Sequence, residues 1–139
     1  MICLGCLAML TREQLQGVLL CLPKTEITVS RDERHIVGYA VRLRVHFRAN
    51  LEMLEAIERT LMQYHIESKL KNVESKVRPR PILSVGKIEN IKALCDLVPA
   101  LPDCRGQWTD FKRAVDIVRN GEHYDQEGID EILTIKGLI

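Results

Sequence analysis

Residues 38–48 read GYAVRLRVHFR. From Val41 to Phe47 every odd position is apolar, while Arg42, Arg44, His46 and Arg48 take the even ones. Successive side chains of a β-strand point to opposite faces, so this alternation predicts a strand with one buried and one cationic face. The stretch before it, EITVSR, alternates in the same way, Ile27 and Val29 against Thr28 and Ser30. A polar turn, DERHIVG, separates the two, which predicts a hairpin of long strands.

Helices flank this hairpin. Thr11 precedes REQLQGVLLCL, with Gln14 three residues on, the pattern of a capping box. This helix should run to about Leu22 and stop at Pro23, which has no N–H to continue it. Leu15, Val18, Leu19 and Leu22 form its apolar stripe, and Gly17, Leu20 and Cys21 carry apolarity around most of the cylinder. Such a helix is expected to be covered on more than one side, with another backbone close to Gly17. Asn50 caps a second helix, NLEMLEAIERTLMQYH, whose inner face is read as Leu51, Leu54, Ile57 and Leu61. IESKLKNV and VRPRPILSV predict a second hairpin, with Pro79 and Pro81 holding the start of its last strand to an edge or an irregular stretch. Further helices are expected near 89–98, 106–120 and 126–135. The expected fold is α+β: one domain over 1–139, with an αββαββα core at about 12–100, a four-stranded antiparallel sheet and a helical tail at about 106–139.

The chain has 139 residues, 46% hydrophobic and 28% charged, suited to a single domain with a real core. Its longest apolar run, MICLGCLAML, is too short to cross a bilayer and lacks the basic start of a secretory signal. Cys3, Cys6, Cys21, Cys95 and Cys104 are odd in number and three sit in apolar surroundings, which suits reduced thiols in an intracellular compartment. Cys3 and Cys6 have the spacing of half a zinc site, but no second pair of ligands follows, so small buried hydrophobes are the better reading.

Net charge is only +1, yet its distribution is uneven. Residues 68–92 carry seven bases against Glu74 and Glu89, whereas residues 103–139 carry eight acids against five bases. Folded into one antiparallel sheet, the two hairpins would bury an apolar face under the helices. They would present Arg42, Arg44, His46, Arg48, Lys69, Lys71, Arg78 and Arg80 on the other, with little acid among them. Cross-strand like charges are mildly destabilising, so an unpaired cationic face favours a polyanionic partner over plain solvation. A basic ribbon of this length fits a DNA major groove, where Arg reads guanine and Lys contacts phosphate.

The element order, with LQGVLLCLP ahead of the first hairpin and RPILSVGKIENIKALCDLVPAL after the second, resembles the LAGLIDADG homing endonucleases over about residues 12–120. In that family the motif helix packs across a dimer or pseudo-dimer axis, and its terminal Asp-Gly supplies an acid to the metal ions. Leu15, Gly17, Val18 and Leu19 match the packing part, which implies a homodimer through those residues, while Leu22 and Pro23 stand where Asp-Gly should be. Leucine cannot ligate magnesium. The resemblance therefore implies sequence-specific binding of double-stranded DNA through Thr28, Ser30, Arg42, Arg44, His46, Arg48, Lys69, Lys71, Arg78, Arg80 and Ser84, with cleavage lost. Lys87 and His46 take the positions of the family's basic and water-ordering residues. The alternatives are an active magnesium-dependent endonuclease using a relocated acid, Glu26 being the nearest, and a non-catalytic module binding an acidic protein.

Overall fold

A computed structural model describes residues 9–32, 38–98 and 107–136. Cys3, Cys6, Cys104 and the middle of the first hairpin's turn lie outside the described residues. In chain order the elements are α1 (Arg12–Cys21), β1 (Lys24–Arg31), β2 (Tyr39–Phe47), α2 (Leu51–Gln63), β3 (Lys69–Lys71), β4 (Ile82–Val85), α3 (Ile88–Leu97), α4 (Gln107–Arg119) and α5 (Gln126–Ile135). The strands form one antiparallel sheet in the order β1-β2-β4-β3. The helices cover its apolar face, with α2 against β3 and β4, α3 against β2, and α4 against β1 and α3.

Local signals in the sequence account for most boundaries. Thr11 and Gln14 make the reciprocal capping box at the start of α1, and the Asn50 side chain accepts from the Met53 amide at the start of α2. The segment leading into α1 is tied to α2 through buried Thr60, whose hydroxyl accepts from Leu10 N–H at 2.9 Å and donates to the Ala56 carbonyl at 2.7 Å. From the sheet, Leu43, Val45, Phe47, Leu83 and Val85 enter one buried cluster with Leu15, Leu19, Leu54, Ile57, Leu61, Ile91 and Leu94. Trp108, Phe111, Ala114 and Val115 of α4 belong to the same cluster, so the tail contributes directly to the core. Burying each leucine, isoleucine, valine or phenylalanine of this cluster is worth about 1.5–3 kcal/mol.

Three expectations need correcting. Leu51, placed on the inner face of α2, is the first residue of the helix and is exposed. The last strand begins only at Ile82, so Arg78 and Arg80 lie in the β3–β4 loop and not on the ribbon. Two prolines in three residues remove two ladder donors, and the strand starts where they end. Finally, α1 buries Leu15 and Leu19 but leaves Gly17 and Cys21 exposed, and among the described residues nothing lies within 4 Å of where a Cβ at Gly17 would stand.

The end of α2 carries a residue in an unfavourable conformation. Ile66 N–H donates to the Leu61 carbonyl and His65 N–H to that of Met62, a Schellman motif sealed by the burial of Leu61 and Ile66. Its left-handed position is occupied by His65, at φ 59°. A side chain there costs about 1 kcal/mol or more relative to glycine. His65→Gly is therefore expected to stabilise the chain by about 1 kcal/mol, read as a higher urea midpoint at unchanged slope.

Candidate nucleic-acid interface

The register of the sheet arranges its polar face in rows. Lys24 of β1 pairs with His46 of β2, His46 with Ser84 of β4, and Ser84 with Lys69 of β3. The next row pairs Glu26 with Arg44, and the one after it Thr28 with Arg42. Directly paired residues share a face, so these side chains stand together on the side away from the helices. Glu26, Arg42, Arg44, His46, Lys69 and Ser84 line a concave trough of about 840 Å³ with Arg48, Lys71 and Glu74.

The face is cationic but not free of acid. Arg48 grips Glu74 in a two-pronged fork, Nε to Oε1 at 2.8 Å and a terminal nitrogen to Oε2 at 3.0 Å. This bonding holds the Glu74 carboxyl below the usual carboxylate range and raises the Arg48 guanidinium further. Glu74 N–H in turn donates to the Arg80 carbonyl, and Ser75 N–H to that of Arg78. The fork thereby anchors the loop that carries exposed Lys76, Arg78 and Arg80 beside the sheet. Glu26 is the second acid. Its side chain is 47% exposed, accepts from the Thr28 hydroxyl at 3.5 Å, and lies 3.7 Å from His46 Nε2. His46 is otherwise held by Ser84, Nδ1 to Oγ at 2.9 Å. Arg42, Arg44, Lys69 and Lys71 are exposed and make no ion pair among the described residues.

Thr28 and Ser30 project from the same face of β1. Lys87 sits apart at the N-cap of α3, largely exposed and 3.4 Å from Glu67, a pair of exposed groups that contributes little. Sequence reading missed Lys24 and the face position of Glu26, although the parity of β1 carried both. It also missed the fork, since Arg48 and Glu74 are brought together only by the path of the loop.

The residues at the end of α1 do not suit a magnesium ion. Leu22 and Pro23 offer no side-chain oxygen, and no trio of His, Cys, Asp or Glu gathers among the described residues. Leu22 instead lines an apolar hollow with Gly17, Val18, Cys21, Ala49 and Met53.

No family model and no curated protein matches the chain by sequence. Solved structures do match by shape. The homing endonuclease I-TnaI superposes with a TM-score of 0.73 over 91% of this chain and 86% of its own, at 17% identity. The fold is that of the homing endonucleases. I-SmaMI bound to an uncleaved DNA target with calcium gives a TM-score of 0.74 at 16% identity, over 91% of this chain. The LAGLIDADG meganuclease I-CpaMI bound to uncleaved DNA gives the same values. The chain spans 44% of each of these last two, so a single copy corresponds to less than half of either enzyme. Among the described residues no helix is long and apolar enough to cross a membrane.

Proposed function

We propose that this chain binds double-stranded DNA in a sequence-specific manner through the outer face of its sheet, as a homodimer, and that it no longer cleaves. The observation that carries the reading is the set of four exposed, unforked cations, Arg42, Arg44, Lys69 and Lys71, on one concave sheet face. A face only meant for solvent has no need to concentrate one sign of charge, whereas a duplex supplies a phosphate at every step. Thr28, Ser30, His46 and Ser84 add hydrogen-bonding groups to that face, and Arg78 and Arg80 extend it along the loop. Arg48 acts from within the fork, setting the loop's position.

The dimer reading rests on α1. Gly17, Val18, Cys21 and Leu22, with Met53 of α2, form an apolar hollow that no other described residue covers. A second α1 approaching at Gly17 would cover it, and a two-fold pair would present two sheets to a pseudo-palindromic site. Lys87 and His46 are read as remnants of a cleavage site, and magnesium would be required only if the chain cuts. The reduced thiols suit an intracellular compartment; burial pushes that of Cys95 up to about 11.

The deciding experiment is selection of bound sequences from a random duplex pool at physiological salt, with complex mass and cleavage products scored together. Two copies per duplex, one enriched motif and no cleavage are expected. Affinity should fall with salt by about one unit of log–log slope per phosphate contacted. A shallow slope would instead favour an acidic protein as the partner. In the same assay with magnesium or manganese, Leu22→Asp combined with Pro23→Gly is expected to gain nicking of supercoiled DNA that the natural chain lacks. Nicking by the natural chain would overturn the loss of cleavage and point to a relocated acid such as Glu26.

A further inference from the structure

We infer that Glu26 is a base-reading residue, and that the base it selects is cytosine. The inference rests on the proposed DNA-binding face and deepens it. A carboxylate on a surface that meets phosphates and base acceptors is repelled by nearly everything there. The face's other acid, Glu74, is neutralised by the Arg48 fork at 2.8 and 3.0 Å. Glu26 has no such fork. Its neighbours are the Thr28 hydroxyl at 3.5 Å and His46 Nε2 at 3.7 Å, and about half of its side chain meets solvent. On the edge strand β1 it is paired with Arg44 and flanked along the strand by the Lys24–His46 and Thr28–Arg42 rows, so cationic rows lie on both sides of it in that direction.

An ionised carboxylate can only accept hydrogen bonds. In the major groove the donors are the exocyclic amines of cytosine and adenine. Adenine carries its N7 acceptor beside the amine, facing the second carboxylate oxygen; cytosine carries a C–H there instead. Cytosine is therefore the better match, in keeping with the general pairing of acidic side chains with its N4 amine. Paired side chains of adjacent strands stand about 5 Å apart at Cβ, close enough for both to reach a single base pair. Arg44 donating to guanine O6 and N7 beside Glu26 accepting from cytosine N4 would read both halves of one G·C pair. The arrangement lowers non-specific affinity and raises discrimination, because a pair without the amine leaves the carboxylate facing acceptors alone.

The test is selection from the random duplex pool with the natural chain, Glu26→Gln and Glu26→Ala. The natural chain is expected to show a cytosine preference of about tenfold or more at one position per half-site, the scale of a good base contact. Glu26→Gln should move that position to adenine, whose amine and N7 suit an amide. Glu26→Ala should lose the preference there and leave the rest of the motif intact. Adenine at that position already in the natural chain overturns the choice of base. Identical motifs for all three proteins, with affinity rising uniformly in the variants, overturn base reading by Glu26. Absence of binding by the natural chain to any duplex overturns the DNA-binding reading itself, a failure distinct from the other two.

Discussion

Replacing Arg42, Arg44, Lys69 and Lys71 together by alanine is expected to lower duplex affinity on the order of a thousandfold for each bound copy at 0.15 M salt, with the log–log salt slope falling by about 3–4 units per copy. The slope follows from the loss of about 0.9 units per neutralised phosphate, and the affinity from that slope extrapolated to about 1 M salt, where counterion release no longer contributes. The prediction separates binding from folding unusually well. All four side chains are exposed and make no ion pair among the described residues, so their removal costs the fold little. Arg42 and Arg44 are next-but-one neighbours on β2, and Lys69 and Lys71 on β3, so relief of like-charge crowding favours the variant slightly. Thermal midpoints within a few degrees of the natural chain, beside a collapsed affinity measured by fluorescence anisotropy across a salt series, are the expected pair of results. An unchanged salt slope would remove the sheet face from the interface.

Much of this arrangement could be read before any coordinates. The alternation of Val41–Phe47 settled the strand and its two faces, because a period of two leaves no freedom in which residue points where. Thr11, Gln14 and Asn50 marked the helix starts through chemistry local to three residues. What could not be read depends on chain path. The loop from 72 to 81 brings Glu74 across to Arg48, 26 positions away, in a pairing that no local pattern announces. The same loop takes Arg78 and Arg80 off the strand. Gly17 is the opposite case, since its sequence context predicts a close neighbour that the described residues of a single copy do not supply. The mismatch is itself an argument for the proposed dimer.

Trp108→Ala is expected to destabilise the chain by about 3–5 kcal/mol, and the reason links α4 to the end of α1. The last carbonyls of a helix have no partner within it, and the Leu19 carbonyl would ordinarily receive the N–H of residue 23. That residue is Pro23, which has none. The Trp108 indole supplies the missing donor: Nε1–H is bonded to the Leu19 carbonyl, in a buried setting 89 positions away in sequence. The ring also meets Phe111 edge-on, centroids 5.9 Å apart at 80°. Two contributions can therefore be separated. Trp108→Phe keeps most of the apolar contact but leaves a buried carbonyl unpaired, an expected cost of about 1–3 kcal/mol. Pro23→Ala restores a backbone N–H at the right position, so in the Trp108→Phe background it should recover a substantial part of that loss. In the natural background, where the indole already occupies the carbonyl, it should recover none. Urea unfolding of the four proteins as a double-mutant cycle measures the coupling directly. Strict additivity would mean that the indole's value lies in packing alone. A positive coupling would show that proline at the end of α1 and tryptophan in the tail work as one unit, each making the other tolerable.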